Sequence, residues 1–77
     1  MSSALLSEAG CGEIRTVSHI DDTSDTVRRL CDMGFTEGAR VIKLFSSPSG
    51  GISAYLVRGS VIAVRRGDAE RIFTDEP

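Results

Sequence analysis

The sequence predicts a mainly β fold, a small barrel or sandwich of about five strands with one short helix inserted after the first strand. Three observations lead there. Short runs of β-branched and apolar residues recur along the chain, each bounded by Gly, Pro, Ser or Asp. Only one stretch, between Asp21 and Met33, combines helical spacing with start and stop signals. Closing the sheet would also bury strand edges that a 77-residue chain can hardly cover otherwise.

The first run, "GEIRTVSHI" (12–20), sets Ile14, Thr16, Ser18 and Ile20 on one face and Arg15, Val17 and His19 on the other. Its ends are expected to anchor in apolar surroundings. "DDTSD" (21–25) supplies N-cap residues and acids suited to the positive end of a helix dipole. A helix of about two turns then spans Thr26 to Met33, too short to stand alone, with Val27, Leu30 and Cys31 at the spacing of one face. Gly34 fits the left-handed position after a helix, and Phe35 is placed to fold back on the last turn. Gly38 turns the chain into the next strand, Ala39–Phe45. Val27, Leu30 and Met33 are expected to seal the helix against the sheet.

Beyond the turn cluster Ser46–Gly51, "ISAYLVR" (52–58) is a strand, and Gly59 opens a two-residue loop read as a type II′ hairpin. Val61–Arg65 returns. Asp68 is a candidate cap for a single turn that carries Ala69 inward, before a last strand at Ile72–Thr74. Residues 75–77 read as a frayed tail. The length sets one domain over residues 1–77.

Composition narrows the function classes. The chain is 40% hydrophobic and 26% charged, ordinary for a globular protein. A formal charge of −2 and a pI near 5.2 argue against a nucleic-acid partner. The four aromatics, Phe35, Phe45, Tyr55 and Phe73, make no stacking platform for single strands. "MSSALLSEAG" has neither the basic region nor the apolar run of a signal peptide, and no segment reaches the ~20 apolar residues of a membrane helix. The expected location is the cytoplasm, with any membrane contact made through a partner. Cys11 and Cys31 lack C-x-x-C partners and read as free thiols.

No catalytic constellation is present: Ser, His and Asp occur without a nucleophile elbow. Cys11, His19, Cys31 and Asp32 lack the paired spacing of a structural zinc site, so neither a metal ligand nor a cofactor is assigned. "SGG" and "GCG" lack the pattern of a phosphate-cradling loop. The charges say more. Arg28 and Arg29 lie on a helix whose other face is apolar, where an Asp25–Arg29 pair would add about 0.3 kcal/mol. Arginine is enriched in protein interfaces, so Arg28, Arg29 and Asp32, with Arg65 and Arg66, are the candidate partner-binding residues.

In "VRRLCDMGFTEGARV" (27–41) the apolar residue, the two arginines, Leu, the D-M-G unit, a further apolar residue and the second glycine before a strand resemble the core signature of the FeoA family, ferrous iron transport protein A domains. "GEIRTV" resembles the family's opening strand. "SSPSGGISAYLVRGSVIAVRRGDAERIFT" resembles its S-P-x-G-G-P hairpin, I-A-L-R strand and closing strand. The likeness spans about residues 5 to 74. Ile52 stands where proline is common, Val64 where leucine is usual, and Phe73 lies near the last aliphatic position.

The resemblance implies an SH3-like β-barrel without enzymatic activity. It also implies an accessory role in bacterial ferrous iron uptake, docked on the GTPase-containing cytoplasmic part of a membrane permease and modulating transport. An alternative is a free-standing metal-responsive module related to the SH3-like domains at the ends of iron- and manganese-dependent repressors. Seventy-seven residues with one short helix leave no room for a helix-turn-helix. Self-association through exposed strand edges is a further expectation.

Overall fold

The computed structural model describes residues 3–75. Strands β1 (Ser3–Leu5), β2 (Ile14–Ile20), β3 (Arg40–Ser46), β4 (Ile52–Val57), β5 (Ser60–Arg65) and β6 (Ile72–Asp75) form one antiparallel sheet in the order β1-β6-β2-β3-β4-β5. Helix α1 (Asp25–Asp32) follows β2, and the single turn α2 (Arg66–Ala69) joins β5 to β6. The architecture is the expected mainly β fold, with the helix that was expected after the first strand following the second of six, because β1 precedes the strand read as first.

Two differences concern the sheet. A sixth strand, β1, lies within a stretch that carries no alternation, and its pairing is held from outside by β6. Asp75, assigned to the frayed tail, pairs with Ser3, while residues 76 and 77 of that tail lie outside the described residues. Among the described residues no ladder joins β5 back to β1, so the sheet curls without closing.

The helix forms as its signals require. Ser24 caps it, its hydroxyl accepting the Val27 amide at 3.1 Å. At the other end the Gly34 amide donates to the Cys31 carbonyl (3.0 Å) and the Phe35 amide to that of Leu30 (3.1 Å). These are the two bonds of a Schellman stop, with Gly34 at φ 124°. Phe35 turns into the core and meets Tyr55 edge-on, their rings 6.3 Å apart. Val27 and Leu30 are buried, but Met33 is exposed, so two residues rather than three seal the helix. Gly38 has φ 87°, and its amide donates to the Val17 carbonyl at 2.8 Å, turning the chain into β3.

The core gathers Leu6, Val17, Leu30, Phe35, Val41, Tyr55, Val57, Val64 and Ile72. The outward face of β2 is the one carrying Ile14, which is exposed, whereas Arg15 and Val17 go inward. Arg15 is only 7% exposed. It bonds the Thr74 hydroxyl at 3.0 Å and the Glu13 carboxylate at 3.1 Å, and Thr74 passes the chain of bonds to the Ala4 carbonyl. A buried guanidinium thus ties β2 to β6 and β1, a role that apolar periodicity does not signal.

The β4–β5 loop is Arg58–Gly59, with φ values of 51° and 79°. Two positive values in succession make it a type I′ turn, not the type II′ form expected from Gly59 alone. Asp68 does not cap α2. Arg65 occupies that position without a side-chain cap, while Ala69 is buried as expected.

Candidate functional site

Two surfaces of the β3–β4–β5 region stand out, one on each face of the same strands. Register assigns the outer face to Ile52 and Ala54 of β4 and to Val61, Ala63 and Arg65 of β5, with Ile52 opposite Arg65 and Ala54 opposite Ala63. Phe45 of β3 lies opposite Ala54. Phe45 and Val61 are each 62% exposed and Ile52 is 47% exposed. With Pro48 of the β3–β4 turn, these side chains line an open apolar groove. Large apolar groups left to water at one place signal an interface more often than a scatter of single residues does. The groove borders β5, which among the described residues is a sheet edge with no strand partner on its outer side.

The residues predicted to bind a partner are dispersed, and none of them lines this groove. Arg65 projects from its rim and also lines a cleft shared with Thr26 and Leu30 of α1. Arg28 and Asp32, both exposed, share the outer side of α1. Arg28 pairs with Asp25 at 3.0 Å, three residues back, in place of the expected Asp25–Arg29 pair. Arg29 is exposed, and Arg66 reaches toward Glu70 at 3.7 Å. The structure therefore brings Arg65 to the apolar surface and leaves the α1 arginines on a separate, solvated face.

Phe45, Ile52 and Val61 were not among the sequence candidates. Each sits at an alternating position of a strand, where an apolar residue reads as core. Only the register shows that Ser53, Tyr55 and Val57 take the inside of β4 and push Ile52 outward.

The remaining ligand-type side chains stay apart. Cys11 is exposed in a turn, Cys31 is half-buried on α1, and both are free thiols. Burial, with help from the charges of Asp22 and Asp32, raises the Cys31 thiol pKa and keeps it protonated. His19 is exposed and lies against Phe73, ring centres 5.7 Å apart. Among the described residues no three His, Cys, Asp or Glu side chains gather as metal ligands would. None of the described helices is long and apolar enough to cross a membrane.

The FeoA domain family matches residues 4–75. An iron uptake regulatory protein (FeoA) of known crystal structure is 31% identical, with 97% of each chain covered and a TM-score of 0.82. FeoA from Stenotrophomonas maltophilia, solved with zinc, is 29% identical over 94% of this chain and 89% of that one, with a TM-score of 0.80. That protein is described as a procaryotic SH3 domain protein, and a role as a ferrous iron transport activating factor has been suggested for it. A manganese-dependent transcriptional repressor shares the fold at 18% identity, covering 96% of this chain and 36% of its own, with a TM-score of 0.83. No curated protein matches the chain.

Proposed function

The chain belongs to the FeoA family, whose members are linked to ferrous iron transport and have an SH3-like fold, and we propose that it serves as a cytoplasmic accessory protein of bacterial ferrous iron uptake. It docks on the GTPase-containing cytoplasmic part of a ferrous iron permease and modulates transport without chemistry of its own. The observation that carries the docking is the apolar groove of Phe45, Ile52 and Val61 beside the free edge of β5. A surface of this kind binds by shape and burial, which suits an adaptor.

No charged residue lines the groove itself, and Arg65, opposite Ile52 in the β4–β5 ladder, is the cation beside it. The complementary partner surface has an apolar centre and an acidic rim. Burying Phe45, Ile52 and Val61 together supplies several kcal/mol at about 25 cal/mol per Å² of apolar area, whereas an exposed rim pair adds at most about 1 kcal/mol. Apolar contact therefore decides affinity, and the arginine sets orientation. Arg28, Arg29, Asp32 and Arg66 act in this proposal as peripheral charges that steer the encounter.

The test is genetic and biochemical together. Deleting the gene should impair growth on ferrous iron, and the purified chain should retain the permease's cytoplasmic part on a column. Normal uptake in the deletion strain, with no retention in the presence or absence of guanine nucleotide, would sink the proposal.

A further inference from the structure

On the inward side of the same strands lies a second, smaller recess lined by Lys43, Ser46, Ser53, Tyr55, Arg66 and Ser7. Its making depends on an irregularity in β3. Lys43 lies opposite Tyr55 and Ser46 opposite Ser53, although Lys43 and Ser46 are three residues apart, while Tyr55 and Ser53 are two apart. A bulge between Lys43 and Phe45 accounts for the extra residue. Without it, period-two alternation would send Lys43 and Ser46 to opposite faces. With it, a lysine joins a row of hydroxyls on one side of the sheet.

The chemistry of the recess is one-sided. Tyr55 is buried and Ser53 nearly so, placing hydroxyls deep in the recess. The Ser46 and Ser53 hydroxyls lie 3.0 Å apart and bond to each other. Lys43 donates one Nζ hydrogen to the Ala9 carbonyl at 3.0 Å, leaving two donors free. Arg66 stands at the mouth with its backbone fixed by a 2.9 Å bond from its amide to the Gly51 carbonyl. Its guanidinium is only loosely engaged by exposed Glu70, at 3.7 Å. No carboxylate lines the recess, in a chain whose net charge is −2.

We infer that this recess binds a small tetrahedral oxyanion of the phosphate class, held by Lys43 and Arg66 and by the hydroxyls of Ser46, Ser53 and Tyr55. A volume near 200 Å³ admits such a group. Two cations neutralise its charge, and hydroxyls satisfy oxygens that water would otherwise hold. Ser46 and Ser53 also border the apolar groove, but the two cations, Lys43 and Arg66, do not line it, and anion binding does not depend on docking there.

The experiment is a titration of the intact chain with inorganic phosphate at constant ionic strength, followed by amide NMR. Saturable shifts should centre on Ser46, Ser53, Tyr55 and Arg66. Arg66→Gln should weaken binding roughly tenfold, the loss of one charge-assisted contact, and Lys43→Gln at least as much. Because Lys43 also anchors Ala9, the Arg66 variant carries the decision if the lysine variant misfolds. Arg40→Gln, a charge change elsewhere on β3, should leave the affinity unchanged.

Glycerol phosphate distinguishes the sources. Binding equal to that of phosphate supports a site for the phosphate end of a larger molecule, and weaker binding supports a site for the free anion. No saturation with either, equal saturation by acetate, or equal weakening by Arg40→Gln would overturn the inference.

Discussion

Gly34→Ala is expected to be among the most costly single-methyl additions in this chain, for two separable reasons. The first is backbone conformation: at φ 124° a side chain is strained, which costs about 1–3 kcal/mol. The second is a neighbour. A Cβ built on Gly34 would lie 2.9 Å from Cδ of Arg58, whose side chain crosses the glycine to reach the Thr36 hydroxyl at 3.3 Å. Displacing that flexible arm adds about 1 kcal/mol. Together these give about 2–4 kcal/mol, or a fall in Tm of roughly 8–32 °C for a domain of this size.

A double-mutant cycle separates the parts. Arg58→Ala alone removes one exposed hydrogen bond and should cost about 0.5 kcal/mol or less. In the Gly34→Ala background it should be stabilising by about 1 kcal/mol, since the clash is gone and only the backbone strain remains. Thermal and urea unfolding of the four proteins measure all the terms. A cost for Gly34→Ala below about 0.5 kcal/mol, or strict additivity with Arg58→Ala, would refute this account of the glycine.

Other expectations follow from the charges and the single tyrosine. The Gly10 amide (2.8 Å) and then the Arg15 guanidinium hold the Glu13 carboxyl below the usual carboxylate range. Its contribution to stability is therefore full above the unfolded-state pKa and is lost as pH falls through the lower folded value. Acid unfolding of Glu13→Gln should show a shallower pH dependence than the parent below about pH 4.5, and parallel curves would contradict this. Burial raises the Tyr55 phenol above 10, the Ser53 hydroxyl offsetting only part of the effect. Since Tyr55 is the only tyrosine, ultraviolet titration should place its midpoint above 10, with the stability it confers lost as pH rises through that value. Ionisation at the ordinary pH would show that the ring is solvated. Replacing Arg15 with alanine should destabilise more than replacing exposed Arg29, because it strands Thr74 and Glu13 at the junction of three strands. Comparing their urea midpoints checks it.

Local signals were legible wherever the chain specifies its own conformation. Ser24 and Gly34 set the ends of α1, and Gly59 marked the last hairpin though not its turn type or the place of Arg58 in the loop, because caps and turns depend on neighbouring residues. What escaped depends on partners distant in sequence. Strand β1 exists because β6 pairs with it, and three residues are too few to show a period. The inward turn of Arg15 needs Thr74, fifty-nine positions away. The exposure of Phe45, Ile52 and Val61 follows from register, which apolar identity alone does not reveal. Met33, at the end of the helix, is exposed, whereas Phe35 two residues on is fully buried. The family pattern was readable because it is made of turns and apolar positions, whereas the candidate docking and anion surfaces emerge only when strands are placed side by side.

The most direct test of the docking proposal is the affinity of this chain for the cytoplasmic GTPase-containing part of a ferrous iron permease, measured by calorimetry for the parent, for Val61→Glu and for Arg28→Ala. Val61 is exposed on an outer strand position, so the glutamate should leave the unfolding midpoint nearly unchanged while placing a charge in the apolar groove. The account predicts binding by the parent, at least a tenfold loss for Val61→Glu, about 1.4 kcal/mol, and less than a threefold change for Arg28→Ala. Binding that survives Val61→Glu intact, or that is lost with Arg28→Ala instead, would contradict it.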